Sequence, residues 1–209
     1  LIKFEGNDAV KKQLSILQGK KMEEEKTVTT NNNLPKLGQA SGFVGITNWL
    51  NSSKPITLSD LSGNVILVDF WTYTCINCIR TLPHVAGWYE KYKDKGFVVI
   101  GIHTPEFEFE KNTENVKQAI KQYKINYPVA QDNDYATWTA YNNHYWPAKY
   151  LIDAKGVIRY THFGEGNYEQ TEKAIQDLLI EAGMVDGKET TLNIPDNAPK
   201  ARFTPETYL

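Results

Sequence analysis

Short apolar runs alternate with segments of helical periodicity through the middle of the chain. The run from Val65 to Val68 is uninterrupted and rich in β-branched residues, and it predicts a strand over 65–70 that is buried on both faces of an α/β sheet. The pattern then becomes helical from Cys75 to Tyr92, and a second apolar run extends from Phe97 to His103. This order predicts a strand-helix-strand unit whose helix is kinked near Pro83.

The second half of the chain predicts the remaining layers of an α/β fold. Asp153 to Gly156 has turn chemistry, with the glycine where a positive φ is needed, so the apolar runs on either side form a hairpin. Apolar residues recur with helical spacing before Gly183, which is a natural helix C-cap. The predicted sheet is therefore mixed and flanked by helices. We predict helices over 113–123, 135–141 and 168–182, and strands over 128–131, 149–152 and 157–161.

Changes in composition define the predicted domain organisation. Short apolar groups alternate with turn residues from 34 to 64, which predicts a β-rich extension at the N-terminal side of the sheet. Residues 1–33 predict a short helix followed by a polar linker or tether, and a disordered end fits that composition equally well. We place the main domain at 34–183 and predict that 184–209 is a C-terminal tail or the junction to a further domain.

The composition limits the classes of partner. The 209 residues are 41% hydrophobic and carry a net charge of −2, which suits one globular domain with extensions and gives no support to a nucleic-acid partner. No apolar run is long enough to cross a bilayer, so we expect no membrane insertion of this segment. Because the chain begins without a methionine or a signal-like segment, we expect it to be part of a longer protein.

The only two cysteines, Cys75 and Cys78, are the strongest chemical signal in the chain. They are separated by two residues and closely follow the first predicted strand. At the start of a helix, the sulfur of Cys75 faces unpaired backbone N–H groups and the positive end of the helix dipole, and both favour the thiolate. Cys78 lies about one helical turn further on. The spacing therefore predicts a redox-active dithiol in which Cys75 attacks a partner and Cys78 resolves the mixed disulfide.

The segment from Trp71 to Pro83 resembles the thioredoxin superfamily, in particular its TlpA-like, DipZ-type branch. The resemblance covers residues 34–183 and implies a thioredoxin-like fold with an N-terminal β-rich extension, in which Pro83 is the helix-kinking proline. Ile76 and Asn77 stand where the best-known members have glycine and proline. Because residues between the cysteines tune thiolate stability, this difference affects the redox potential.

The same resemblance implies roles for residues outside the cysteine pair. Asp69 matches the buried acid of the family, and desolvation would raise its pKa and suit it to exchange a proton with Cys78; the alternative is an acid hydrogen-bonded at a strand end. Trp71 matches the tryptophan beside the active site. Trp146 and Pro147 stand where the family places a cis-proline loop that receives the substrate backbone, with a plain trans loop as the alternative.

The resemblance further implies a thiol-disulfide oxidoreductase that exchanges its dithiol or disulfide with the cysteines of protein partners. Such domains lie outside the cytoplasmic membrane of bacteria, in the periplasm or on the outer face of that membrane, often tethered to a transmembrane electron donor of the DsbD or CcdA type. We therefore predict a reductase in an extracytoplasmic electron relay. It needs no cofactor, because the cysteines themselves carry the electrons.

Other uses of the cysteine pair have weaker support. A structural zinc site needs four ligands, and the four histidines show no ligand spacing relative to one another, so we predict no metal site. Haem attachment is excluded because Ile79, not histidine, follows Cys78. A thiol peroxidase of the peroxiredoxin type would have a threonine three residues before its cysteine and a proline seven residues before it. Thr72 fits the first position, but Val68 stands at the second. A non-enzymatic thioredoxin-like binding module is the third hypothesis.

Three features near these motifs have open roles. Arg80 lies early in the predicted helix, where it assists thiolate formation or is simply solvated. His84 is the histidine nearest in sequence to the cysteines. The run from Glu106 to Glu110 alternates acidic and aromatic residues like an edge strand, and we expect an exposed loop there.

Overall fold

A seven-stranded mixed β-sheet forms the centre of the protein. The computed structural model describes residues 34–196, so the helix and linker predicted over 1–33 lie outside the described residues. The order across the sheet is β1-β7-β6-β3-β4-β5-β2, in which β3, β4 and β5 run parallel and the other neighbours antiparallel. The strands are β1 (Gly38–Gln39), β2 (Asn48–Leu50), β3 (Val65–Trp71), β4 (Phe97–His103), β5 (Val129–Gln131), β6 (Ala148–Ile152) and β7 (Val157–Phe163).

Within residues 34–196, four α-helices and three short 3-10 helices connect and cover the strands. The predicted α/β class is confirmed, and each predicted helix and strand of the core is present with its ends within two residues of the prediction. The α-helices are α1 (Ile76–Tyr92), α2 (Thr113–Gln122), α3 (Ala136–Ala140) and α4 (Tyr168–Glu181), and the 3-10 helices are Ser59–Leu61, Lys93–Lys95 and Glu108–Lys111.

The central strand β3 separates two hydrophobic cores. Its side chains alternate between the faces of the sheet, so the odd-numbered apolar residues join a core built with α1, α2 and α4, while the even-numbered ones join a core built with α3 and the N-terminal extension. All seven residues of β3 are buried, which explains its continuous apolar run. Asp69 lies between Leu67 and Trp71 in this alternation, so its carboxylate is on the side that α1 covers.

The N-terminal extension contains less β-structure than predicted. Strands β1 and β2 are only two and three residues long, and turns and a 3-10 helix occupy most of the remaining segment up to residue 64. Frequent Gly, Ser, Asn and Pro residues explain why longer strands do not form. Because β1 pairs with β7 and β2 pairs with β5, the extension covers both edges of the central strands.

Residues 184–196 continue beyond α4 without regular secondary structure and lie against the domain. Leu192 packs on the α1 side of the core, and its backbone N–H donates a hydrogen bond of 2.7 Å to Glu172 on α4. The domain limit at 183 stays a prediction. Among residues 34–196, no helix has the length and apolar character needed to span a membrane.

Candidate active site

The two cysteines lie at the start of α1, just after the loop that follows β3. Cys75 is the N-cap residue of α1, and its Sγ accepts a hydrogen bond of 3.1 Å from the backbone N–H of Cys78. The two sulfur atoms form a disulfide. Cys75 is half-buried, whereas Cys78 is fully buried. A partner can therefore reach Cys75 from solvent, while Cys78 approaches it from the protein interior.

The start of α1 favours negative charge at Cys75. The first turn contains no acidic residue, and its unpaired backbone N–H groups stabilise a thiolate. Between the cysteines, Ile76 is 54% exposed and Asn77 is half-buried. These two side chains are therefore part of the surface that a partner meets at the sulfur.

A buried ion pair lies on the same side of the sheet as Cys78. Asp69 is fully buried in β3, and Lys149, which is 1% exposed, stands directly opposite it in β6, with 3.6 Å between Lys149 Nζ and Asp69 Oδ1. Burial raises the pKa of Asp69 to about 6, and the charge of Lys149 limits that rise. The direction agrees with the sequence-based expectation. Lys149 is absent from the predicted site, although a lysine inside the apolar run 148–152 is a signal that could have found it.

The loop before β6 has the cis peptide bond that the resemblance implied, between Trp146 and Pro147. Pro147 is buried, and Trp146 Nε1 donates a hydrogen bond of 3.0 Å to the carbonyl oxygen of Thr104. Trp146 and Cys75 both pack against the core cluster that contains Cys78. The structure therefore brings the proline loop and the cysteine pair to the same side of the sheet.

A carboxylate outside the predicted site holds the loop between β3 and α1. Glu110 is fully buried; its Oε1 accepts a hydrogen bond of 2.5 Å from Thr74 Oγ1, and its Oε2 accepts bonds from the backbone N–H groups of Glu106 and Phe107 at 2.6 and 3.0 Å. Burial acts to raise the pKa of Glu110, but these donors lower it on balance. The expected exposed loop over 106–110 is therefore wrong at Glu110, because a 3-10 helix turns this carboxylate inward.

His103, the last residue of β4, completes the surroundings of this loop. It is fully buried, its Nε2 lies 3.4 Å from Thr72 Oγ1, and its ring stacks on Tyr73 and meets the edge of Trp71. Burial lowers the pKa of His103 to about 4, against a smaller opposite effect of Glu110, so the imidazole is neutral at pH 7. Thr72 is the residue that fits the peroxidase alternative, and its hydroxyl faces the neutral imidazole of His103.

Arg80 and His84 have structural surroundings of their own. Arg80 Nη1 lies 3.4 Å from Glu165 Oε1, in an ion pair that is partly exposed. His84 is buried and stacks on Tyr168, and burial lowers its pKa. Among residues 34–196, no group of three or more His, Cys, Asp or Glu side chains could hold a metal ion.

Comparison with known proteins identifies the family. Residues 45–161 match the AhpC/TSA family. The chain belongs to that family. Protein DipZ of Mycobacterium bovis is 51% identical to this AhpC/TSA chain over 180 residues, which cover 84% of the chain and 26% of DipZ. Thiol-disulfide oxidoreductase YkuV of Bacillus subtilis is 30% identical over 134 residues, which cover 64% of the chain and 88% of YkuV.

A solved structure has the same fold as this chain. The solution structure of a thioredoxin-like protein in the oxidized form matches with a TM-score of 0.63 and 30% sequence identity, over 70% of this chain and 99% of that one. The predicted thioredoxin-like fold and the resemblance to DipZ-type domains are confirmed. The chain spans about a quarter of the length of DipZ (26%), so that likeness concerns one region of a longer protein.

Proposed function

We propose that this chain is a thiol-disulfide oxidoreductase that uses Cys75 and Cys78 to exchange electrons with the cysteines of protein partners. The observation that carries the proposal is the asymmetry of the pair: half-buried Cys75 caps the start of a helix, and fully buried Cys78 is bonded to it from inside. Relatives named as thiol-disulfide oxidoreductases, such as YkuV, support the same chemistry.

In the reducing direction, the Cys75 thiolate attacks one sulfur of a partner disulfide, and the other partner sulfur leaves as a thiolate. Cys78 then gives its proton to Asp69 and attacks Sγ of Cys75. The intramolecular disulfide forms as the bond between Cys75 and the partner breaks. Two electrons thereby pass from the dithiol to the partner, and the reverse sequence oxidises a partner dithiol.

The remaining site residues shape the surface that receives the partner in this proposal. Ile76 and Asn77 border the reactive sulfur, and the loop of Trp146 and Pro147 binds the partner's backbone next to it. Trp71 packs under the site, in the same core cluster as Cys78. What supports these roles is that Trp71 and Trp146 lie on the α1 side of the sheet and that Ile76 and Asn77 belong to the first turn of α1.

We place this activity in an extracytoplasmic electron relay, with the chain as a reductase that receives electrons from a transmembrane donor of the DsbD or CcdA type. The support is the likeness to DipZ over 84% of the chain. The location outside the cytoplasmic membrane rests on the same likeness. The cysteines carry the electrons, so the proposal includes no cofactor and no metal ion.

The midpoint potential of the Cys75/Cys78 pair tests the proposal. The protein is equilibrated with a glutathione or dithiothreitol series, and Trp fluorescence and thiol alkylation report the disulfide. A potential near about −270 mV supports a reductase, and one near about −120 mV would replace it with an oxidant. The variants Cys75→Ser and Cys78→Ser serve as controls that cannot form the intramolecular disulfide. Absence of a reversible two-electron transition in the unmodified chain would overturn the oxidoreductase and favour a binding module.

A further inference from the structure

Two phenylalanine rings lie together on the surface, in the segment that follows β4. Phe107 is 49% exposed and Phe109 is 55% exposed, and their rings stack with 5.6 Å between centroids and 3° between planes. A single exposed apolar side chain is common in folded proteins, whereas a packed group of exposed aromatic rings is typical of a contact surface. We call these two residues the phenylalanine pair.

Hydrogen bonds and a ring contact hold the phenylalanine pair next to the loop that carries Cys75. Tyr73 Oη donates a hydrogen bond of 3.1 Å to the carbonyl oxygen of Phe109, and the rings of these two residues meet with 6.3 Å between centroids. Thr74 Oγ1 donates a hydrogen bond of 2.5 Å to the buried carboxylate of Glu110. Both loop residues come directly before Cys75. The position of the pair is therefore fixed relative to the reactive sulfur.

The segment after β4 also contacts the elements around the cis-proline. Trp146 Nε1 donates a hydrogen bond of 3.0 Å to the carbonyl oxygen of Thr104, and Tyr135 Oη donates one to the carbonyl oxygen of Pro105. The cysteine loop, the segment after β4 and the proline loop are thus joined by direct contacts. Ile76 adds a further exposed apolar side chain beside the sulfur. A partner that reaches the sulfur therefore meets one connected surface.

Acidic residues alternate with the two phenylalanines. Between positions 106 and 111 the chain has three glutamates and one lysine. Lys111 pairs with Glu108 at 2.7 Å, and the Glu108 side chain is still 85% exposed. Burial acts to raise the pKa of Glu110, but its hydrogen-bond donors lower it on balance, so this carboxylate is also charged at pH 7. The segment therefore combines exposed aromatic area with an excess of negative charge, which suits a chain with apolar and basic side chains.

We infer that Phe107 and Phe109 form a specificity surface that binds the partner protein next to its target cysteine, where the partner carries apolar and basic residues. The inference rests on the proposed function and concerns recognition before Cys75 attacks. Aromatic side chains are frequent anchors of protein interfaces, because they bury a large area at a low cost in conformational entropy. Since Tyr73 links the pair to the cysteine loop, a partner bound there has its disulfide held close to the reactive sulfur.

Reaction rates with two synthetic peptides test the inference. Each peptide has one cysteine and is used as its symmetric disulfide dimer, so that either sulfur presents the same sequence. The first peptide has leucine and lysine beside the cysteine, and the second has serine and aspartate. The reduced full chain is mixed with each dimer at pH 7, and stopped-flow Trp fluorescence gives the second-order rate constant. Division by the rate constant of dithiothreitol with the same dimer removes the intrinsic reactivity of that disulfide.

The ratio of the two corrected rate constants measures the preference for the first peptide. We expect a preference of at least about tenfold in the wild type, and Phe107→Ser/Phe109→Ser should remove most of it. Leu37→Ser, at an apolar residue beside β1 that is 52% exposed, is the matched control and keeps the preference. Glu108→Lys should slow the reaction with the first peptide about threefold at low ionic strength, and this effect should disappear at about 0.5 M salt.

Single variants separate recognition from a structural effect on the cysteine loop. The contact with Tyr73 is made by Phe109, so Phe107→Ser leaves it in place and should still lower the preference at least about threefold, while Phe107→Tyr should keep it. An unchanged preference, equal slowing with both peptides, or no preference in the wild type overturns the inference. An unchanged rate in Glu108→Lys at low ionic strength overturns the basic character of the partner. If the unmodified reduced chain reacts with neither peptide nor with glutathione disulfide, it is the proposed function that fails.

Discussion

Removal of the Glu110 carboxylate should loosen the loop that carries Cys75. Glu110→Ala leaves three donors without their acceptor: the hydroxyl of Thr74 and the backbone N–H groups of Glu106 and Phe107. All three are bound in the wild type to one fully buried carboxylate. The substitution therefore removes a bond that joins the segment after β4 to the residue before Cys75, and two bonds within that segment.

The magnitude follows from the number and type of these bonds. A hydrogen bond to a charged group contributes about 1.5–3 kcal/mol, and water entering the vacated space recovers part of the loss, so we expect the free energy of unfolding to fall by about 3–5 kcal/mol. Glu110→Gln keeps an acceptor oxygen, and the Thr74 hydroxyl can rotate to accept from the new amide, so this variant should lose about 1–2 kcal/mol. Thr74→Val removes a single bond and should cost about 1–2 kcal/mol.

Urea unfolding of the oxidised protein at pH 7 measures these differences. Because Thr74 and Glu110 bond directly, the double variant Glu110→Ala/Thr74→Val should lose at least about 1 kcal/mol less than the sum of the two single variants. Additive losses within about 0.5 kcal/mol would show that the bond does not couple the two segments. A Glu110→Ala protein as stable as the wild type would refute the account of Glu110 altogether.

Two further predictions concern the interior beside the site. Burial lowers the pKa of His103 from 6.5 to about 4, so the unfolded chain binds more protons than the folded chain between these pH values. The free energy of unfolding should therefore fall by about 3 kcal/mol as the pH drops through that window. Urea unfolding at several pH values should show a flatter pH dependence for His103→Gln. Gly101→Ala would place a Cβ 3.0 Å from Tyr127 and 3.1 Å from Trp71 Nε1, and should cost about 1–3 kcal/mol with a change in Trp fluorescence. Gly42→Ala, which meets nothing within 4 Å, should stay within about 0.5 kcal/mol of the wild type by the same assay.

The strand and the helix that hold the cysteines could be predicted because each has a clear local pattern in the sequence. The buried run of β3 and the helical pattern of α1 meet at Cys75, and the structure places the strand end and helix start within one residue of the predicted positions. The hairpin of β6 and β7 was equally accessible, since Gly156 adopts the positive φ that its turn requires. In both cases a few adjacent residues determine the local geometry.

The two charged residues beside the site could not be placed in this way. Lys149 is opposite Asp69 because β6 pairs antiparallel with β3 in one particular register, and these residues are far apart in sequence. Glu110 is buried because its carboxylate meets Thr74 across a gap of 36 residues. Periodicity suggested an exposed position for Glu110, since acidic residues are seldom buried without partners. The sequence marks Lys149 as unusual, but which group each of these charged side chains meets becomes visible only when the fold is known.

Trapping of a mixed disulfide tests the central claim, the division of labour between Cys75 and Cys78, most directly. Each single serine variant is reduced and mixed with a disulfide-containing model protein, and non-reducing electrophoresis with mass spectrometry identifies the products. The account predicts that Cys78→Ser accumulates a mixed disulfide through Cys75, whereas Cys75→Ser accumulates little, because Cys78 is fully buried. Efficient trapping through Cys78, or none through Cys75, would contradict the account.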